Sequence, residues 1–214
     1  MSKAVAREYG IRLYDTIAAA LCAGSKQLAV DAVLSIGEGG GGGKYGYTEL
    51  GQPKYPRKRF FDEIVAVFRK SGCAVPIFSD KHLSYSWAHA DEMARTSKEL
   101  GFEMMAGSSL PFAEQRPPHN IPPGASIESA VAIHGHAVET YDFHALEMLQ
   151  ANLERRDGGQ GGVSAVQFLE GDSVIAAAAD GRISTELVSA AMAAEDAVEG
   201  TAYASQLGRN WELP

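Results

Sequence analysis

Three short apolar runs constrain this fold more than anything else in the chain: "LAVDAVLSI" (28–36), "CAVPIFSD" (73–80) and "FEMMAG" (102–107). The first carries β-branched residues without polar alternation, the pattern of a strand buried on both faces of a parallel sheet, and the other two continue it. Helix patterns separate them. In "FFDEIVAVFRKSG" Phe60, Ile64, Val67 and Phe68 form one stripe, with Pro56 in the first turn and Gly72 as the stop. "SYSWAHADEMARTSKELG" turns Trp87, Ala90, Met93, Ala94 and Leu100 inward and ends at Gly101. Strand, helix, strand, helix, strand at this spacing requires crossovers onto a parallel sheet. Upstream, the pattern predicts a helix over 2–9 closed by Gly10, a strand "IRLYD" (11–15) and a short helix ended by Gly24.

Past Gly107 the texture changes. "SSLPFAEQRPPHNIPPG" holds Pro-Pro pairs at 117–118 and 122–123 and reads as a crossover over 108–126. Beyond it the patterns predict a strand "IESAVAIHGH" (127–136) and a helix "YDFHALEMLQANLERR" burying Phe143, Leu146, Leu149 and Leu153. A hairpin about Glu170-Gly171-Asp172 and a helix over 183–200 follow, and 201–214 make no element. The expected fold is α/β. An incomplete Rossmann-like parallel sheet over 1–107 precedes the start of an α+β second domain over 127–200.

Composition narrows the function classes. A net charge of −8 leaves no basic face for nucleic acid. No apolar stretch approaches the roughly 20 residues of a membrane span, and "MSKAVAREYG" has no apolar signal core. Cys22 and Cys73 lack C-x-x-C spacing and read as core residues in a reducing compartment, hence a cytoplasmic protein. A sheet lacking its first strands would leave an apolar edge, so self-association into a homo-oligomer is expected.

The stretch "IGEGGGGGKYG" (36–46) fits G-x-G-x-x-G at Gly37, Gly39 and Gly42. A working dinucleotide fingerprint opens a helix directly, so that the helix N-terminus meets the pyrophosphate. Here a loop follows, and the acidic residues Asp62 and Glu63 fall inside a helix. NAD(P) is therefore not expected to bind this chain alone. The loop still lies at the carboxyl end of a strand, where ligands of open α/β sheets bind. Glu38, Ser108 and the "SDKHLS" turn share that edge.

Lys81 follows a buried strand between Asp80 and His82, a place either for a proton donor or shuttle to a small-molecule substrate or for a lysine simply paired with Asp80 at the strand end. The basic run 54–59, with Arg57 at a helix start where the macrodipole disfavours positive charge, reads as a solvated basic loop or as a mate for an anionic group on such a substrate. His134, His136, Glu139, His144 and Glu147 are the densest cluster of ligand-type residues. On a strand His134 and His136 share a face, and on a helix His144 and Glu147 do. A divalent metal held by His134, His136, His144 and Glu147, a polyol or acid pocket, and structurally satisfied histidines all remain open.

The span "VPIFSDKHLSYSWAHADEMARTSKELGFEMMAGSSLPF" (75–112) resembles the glucose–fructose oxidoreductase / inositol dehydrogenase family. More broadly, residues 5–185 resemble a group of bacterial proteins related to that family, through "DKHLSYSW", "MAGSSLP" and "YDFHALE". The resemblance implies Lys81 as catalytic lysine and His144 as catalytic histidine, acting on a polyol, sugar or related acid. Departures accompany it. His82 stands where the family has proline, Thr140 replaces an aspartate that Asp142 stands close to, and Gly39 takes the place of a histidine beside Glu38. The family's first strand and phosphate loop would precede residue 1, so a fragment or a degenerate copy is expected. The alternatives to an oxidoreductase-like enzyme are a metal-dependent lyase, isomerase or hydrolase and a non-catalytic remnant.

Overall fold

A computed structural model describes residues 2–37, 44–115, 118, 120–135, 138–159 and 161–199. The chain divides after Ser108 into two compact units. It is a mixed α/β protein with a small parallel sheet, a partial Rossmann-like arrangement.

In the first unit, helix α1 (Ser2–Glu8) and helix α2 (Ile17–Cys22) precede strand β1 (Val33–Ser35). Helix α3 (Arg57–Ser71), strand β2 (Ile77–Asp80), helix α4 (Trp87–Leu100) and strand β3 (Met104–Gly107) complete it. The strands lie in the order β1-β2-β3, all parallel. Their register aligns Val33, Ile77 and Met104 in one row and Leu34, Phe78 and Met105 in the next. Successive rows face opposite sides of the sheet. The first row packs into the core with Phe61, Ile64, Val65, Phe68, Met93 and Phe102. The second points away from that core, and Leu34 and Met105 are 70% and 65% exposed.

The core is aromatic at its centre: Phe102 meets Phe68 edge-on at 5.4 Å and Phe61 at 6.3 Å. Phe68 and Met93 are the largest fully buried side chains, each worth roughly 1.5–3 kcal/mol of apolar burial. On α3 Ile64, Val67 and Phe68 are buried as expected, and Arg57, Phe61 and Val65 join them, so the stripe opens through Phe61 rather than Phe60. That phase puts an arginine at the inward end of an apolar face. Gly72 closes the helix in the left-handed region at φ 67, a conformation that costs glycine nothing.

Several expectations need correction. Residues 11–15 form no strand, and Ile11 and Leu13 are exposed. An apolar run becomes a strand only where a neighbour completes its ladder, and none does here among the described residues. Trp87 is 86% exposed, because six residues before Met93 it lies about 120° around α4 from the inward series Met93, Thr96, Ser97. Cys73 is exposed rather than in the core, and both Cys22 and Cys73 are free thiols.

The second unit holds a 3-10 turn (Leu110–Phe112), α5 (Val138–Leu153), α6 (Asp172–Ala179) and α7 (Thr185–Glu199). Gly124 and Arg155 bond through their backbones at 2.8 Å, and Ala125 bridges Arg156. The expected strand over 127–136 has no strand among its described residues, 127–135. The expected hairpin about Gly171 is a helix start instead. Asp172 sits in the first turn of α6, where a carboxylate suits the helix dipole, and the run 176–179 is all alanine. High helix propensity there outweighs the β-branched Val174 and Ile175. Leu146, expected inward on α5, is 63% exposed. The tail 201–214 lies outside the described residues.

Candidate functional site

The carboxyl ends of β2 and β3 and the start of α3 gather most of the ionisable candidates of the first unit. Arg57 is 2% exposed, carried inward by the phase of the α3 stripe. Its Nε donates to the backbone oxygen of Asp80 at 3.3 Å, and its Nη1 lies 3.4 Å from His82 Nε2. Arginine has only donors, so any hydrogen bond in that contact has Nε2 as its acceptor. The guanidinium also lies 4.8 Å over the ring of Tyr55, a contact that sequence alone missed. The local cue was a tyrosine two residues ahead of the arginine.

Lys81 takes a left-handed backbone conformation, φ 68, one of two described non-glycine residues with positive φ. Its amide donates to the Gly107 oxygen at 2.8 Å, tying the end of β2 to the end of β3 just before Ser108. That bend turns the Lys81 ammonium back toward the Asp80 carboxylate, 3.4 Å away. Both side chains keep partial exposure, 24% for Lys81 and 18% for Asp80. The arrangement suits a proton-carrying group held at a strand end with a fixed carboxylate beside it.

β1 reaches the same edge through Gly37. A methyl group there would come within 3.0 Å of the Phe60 ring and 3.9 Å of Arg57 Cγ, so the chain passes α3 closely only because the residue is glycine. Beneath this edge, Ser35, Arg57, Ser79 and Met93 border a space too small for a water molecule. Ser79 is 2% exposed and belongs to the floor. Glu38, Gly39 and Gly42 lie outside the described residues.

The dinucleotide fingerprint requires its last glycine to open a helix, whereas the described chain from 44 onward runs through turns and a Tyr47–Pro53 bridge before α3 opens at Arg57.

In the second unit the candidates fall into two pairs. His134 Nε2 contacts Asp142 on α5, and His144 Nδ1 lies 3.5 Å from the Glu147 carboxylate one turn along the same helix. His144 is further bounded by the rings of Tyr141 and Phe143. Among the described residues no three His, Cys, Asp or Glu side chains gather as a metal-binding group. His136 and the side chain of Glu139 lie outside the described residues. His134 itself lies in no strand. No helix of the described residues is long and apolar enough to cross a membrane. No family model, curated protein or solved structure matches the chain.

Proposed function

We propose that this chain is an oxidoreductase-like enzyme acting on a small polyol, sugar or related acid in the cytoplasm, with Lys81 as its proton-transfer group. The observation that carries the reading is the strained placement of Lys81 at the carboxyl edge of a parallel sheet, tied to Gly107 and facing Asp80. Ligands of such sheets bind at that edge. A left-handed lysine is conformationally costly, and strain of this kind concentrates where it serves a site. In this role the ammonium gives a proton to, or takes one from, a substrate oxygen, while Asp80 holds it in place. Arg57, in contact with the Asp80 carbonyl and with His82, and Ser108, next in the chain after Gly107, are the substrate-binding candidates beside it. His144, oriented by Glu147, is the acid/base candidate of the second unit. The reading assigns proton transfer and substrate binding to this chain and leaves the hydride carrier unassigned.

The test is a calorimetric titration of the whole chain with a panel of cyclic polyols, aldoses and aldonic acids, repeated on Lys81→Met. A saturable ligand whose affinity falls about tenfold or more, some 1.4 kcal/mol, in Lys81→Met supports the assignment. Absence of binding across the panel, or binding indifferent to Lys81→Met, overturns it.

A further inference from the structure

The three-stranded sheet ends in two strands whose outer sides pair with nothing among the described residues. The edge at β3 is the longer, four residues against three, and Met104–Gly107 carries no charge. The Glu103 and Gly107 carbonyls accept from Ile77 and Lys81 at 2.9 and 2.8 Å, so they face β2. Groups along a strand point alternately to its two neighbours. Met104 and Ala106 therefore turn their N–H and C=O outward. Met105 is 65% exposed on the sheet face away from the core. Open edges are ordinarily blunted by lysine, proline or a bulge, and this one has none of them.

We infer that β3 pairs antiparallel with β3 of a second copy of this chain, across a two-fold axis at Met105. Met104 then faces Ala106 of the second copy, and each such pair exchanges two N–H···O bonds. Met105 faces its own counterpart in the position without hydrogen bonds. The occupant is a second copy because the edge is complementary to itself: its outward groups are placed symmetrically about Met105, and no charge opposes like on like. The apolar row Leu34–Phe78–Met105 runs on into its counterpart, making one band across both sheets. A two-fold contact of this kind closes on itself and stops at a dimer. The inference is independent of the role given to Lys81.

Two variants test it beside the wild type. Ala106→Pro removes an outward N–H and leaves the bonds to β2 in place. Met105→Cys, made with Cys22→Ala and Cys73→Ser, places two thiols on the axis. Cα atoms about 4.5 Å apart in that position are within disulfide reach. The expected results by light scattering are a wild-type dimer and an Ala106→Pro monomer with an unchanged circular dichroism spectrum. The Met105→Cys chain should become a covalent dimer on mild oxidation. A wild-type monomer at the highest soluble concentration overturns the inference. So does a dimer that survives Ala106→Pro without cross-linking, which would place the contact elsewhere, with the exposed Val166 and Phe168 the next surface to examine.

Discussion

The amide of Lys81 donates 2.8 Å to the carbonyl of Gly107, and the lysine so held stands at φ 68. A Cβ in this region costs roughly 1–2 kcal/mol, which glycine escapes. Lys81→Gly is therefore expected to be about 1 kcal/mol more stable than Lys81→Ala, although both lack the ammonium. Urea midpoints of the two variants measure the difference. Equal midpoints would show that the bend is unstrained and would remove the main support for a functional Lys81.

Arg57 is the keystone of the same edge. Removing it strips the Asp80 carbonyl and the His82 imidazole of a charged donor, so Arg57→Ala should lose about 2–3 kcal/mol. Arg57→Lys should recover little, since a point charge cannot reach both acceptors with one fork. A double-mutant cycle with His82→Ala should give a coupling of about 0.5 kcal/mol or more. Additive losses would mean that the imidazole is a bystander.

Gly37 separates β1 from the start of α3 by the thickness of one hydrogen. Gly37→Ala brings its methyl to 3.0 Å from the Phe60 ring, and overpacking of this kind costs roughly 1–3 kcal/mol. Adding Phe60→Leu should restore part of the loss. If thermal melts show Gly37→Ala unchanged, the approach of the loop to the helix is looser than these distances state.

Lys58 bridges Asp62 on its own helix and Glu92 on α4, at 2.7 and 3.2 Å. Burial alone would push its pKa down. The hydrogen bonds to Asp62 and Glu92, with their negative charge, more than offset that and raise it above the ordinary 10.5. A raised folded value means the bridge contributes fully below pH 10.5 and fades as pH climbs through the higher value. The melting-point gap between wild type and Lys58→Met should accordingly be steady from neutral pH to about 10 and close beyond it. A gap that persists at higher pH would assign the effect to packing of the lysine stem.

Much of the first unit was legible in the sequence because its elements carry their own punctuation. Gly72 and Gly101 stop α3 and α4 in the left-handed region, and the runs around Val33, Ile77 and Met104 become the parallel sheet. What failed depends on partners a single chain segment does not name. "IRLYD" has strand residues but no ladder, and "VSAVQFLEGDSVIAAAADG" ends in alanines that prefer a helix once Gly171 and Asp172 start one. The grouping of Asp80, Lys81 and His82 could be read from adjacency alone. Arg57 joining them could not be read while Phe60 stood in place of Phe61 in the inward stripe of α3. Counting back from Phe68 through Ile64 and Phe61 reaches position 57 and would have found it.

The two rows of side chains in the sheet impose different histories on neighbouring residues. Ile77 and Ser79 are 3% and 2% exposed, whereas Phe78 between them faces the side that the core leaves uncovered. A library of single substitutions along β1 and β2 would read as a two-beat rhythm. Volume and polarity are policed at Val33, Ile77 and Ser79, and drift is permitted at Leu34 and Phe78.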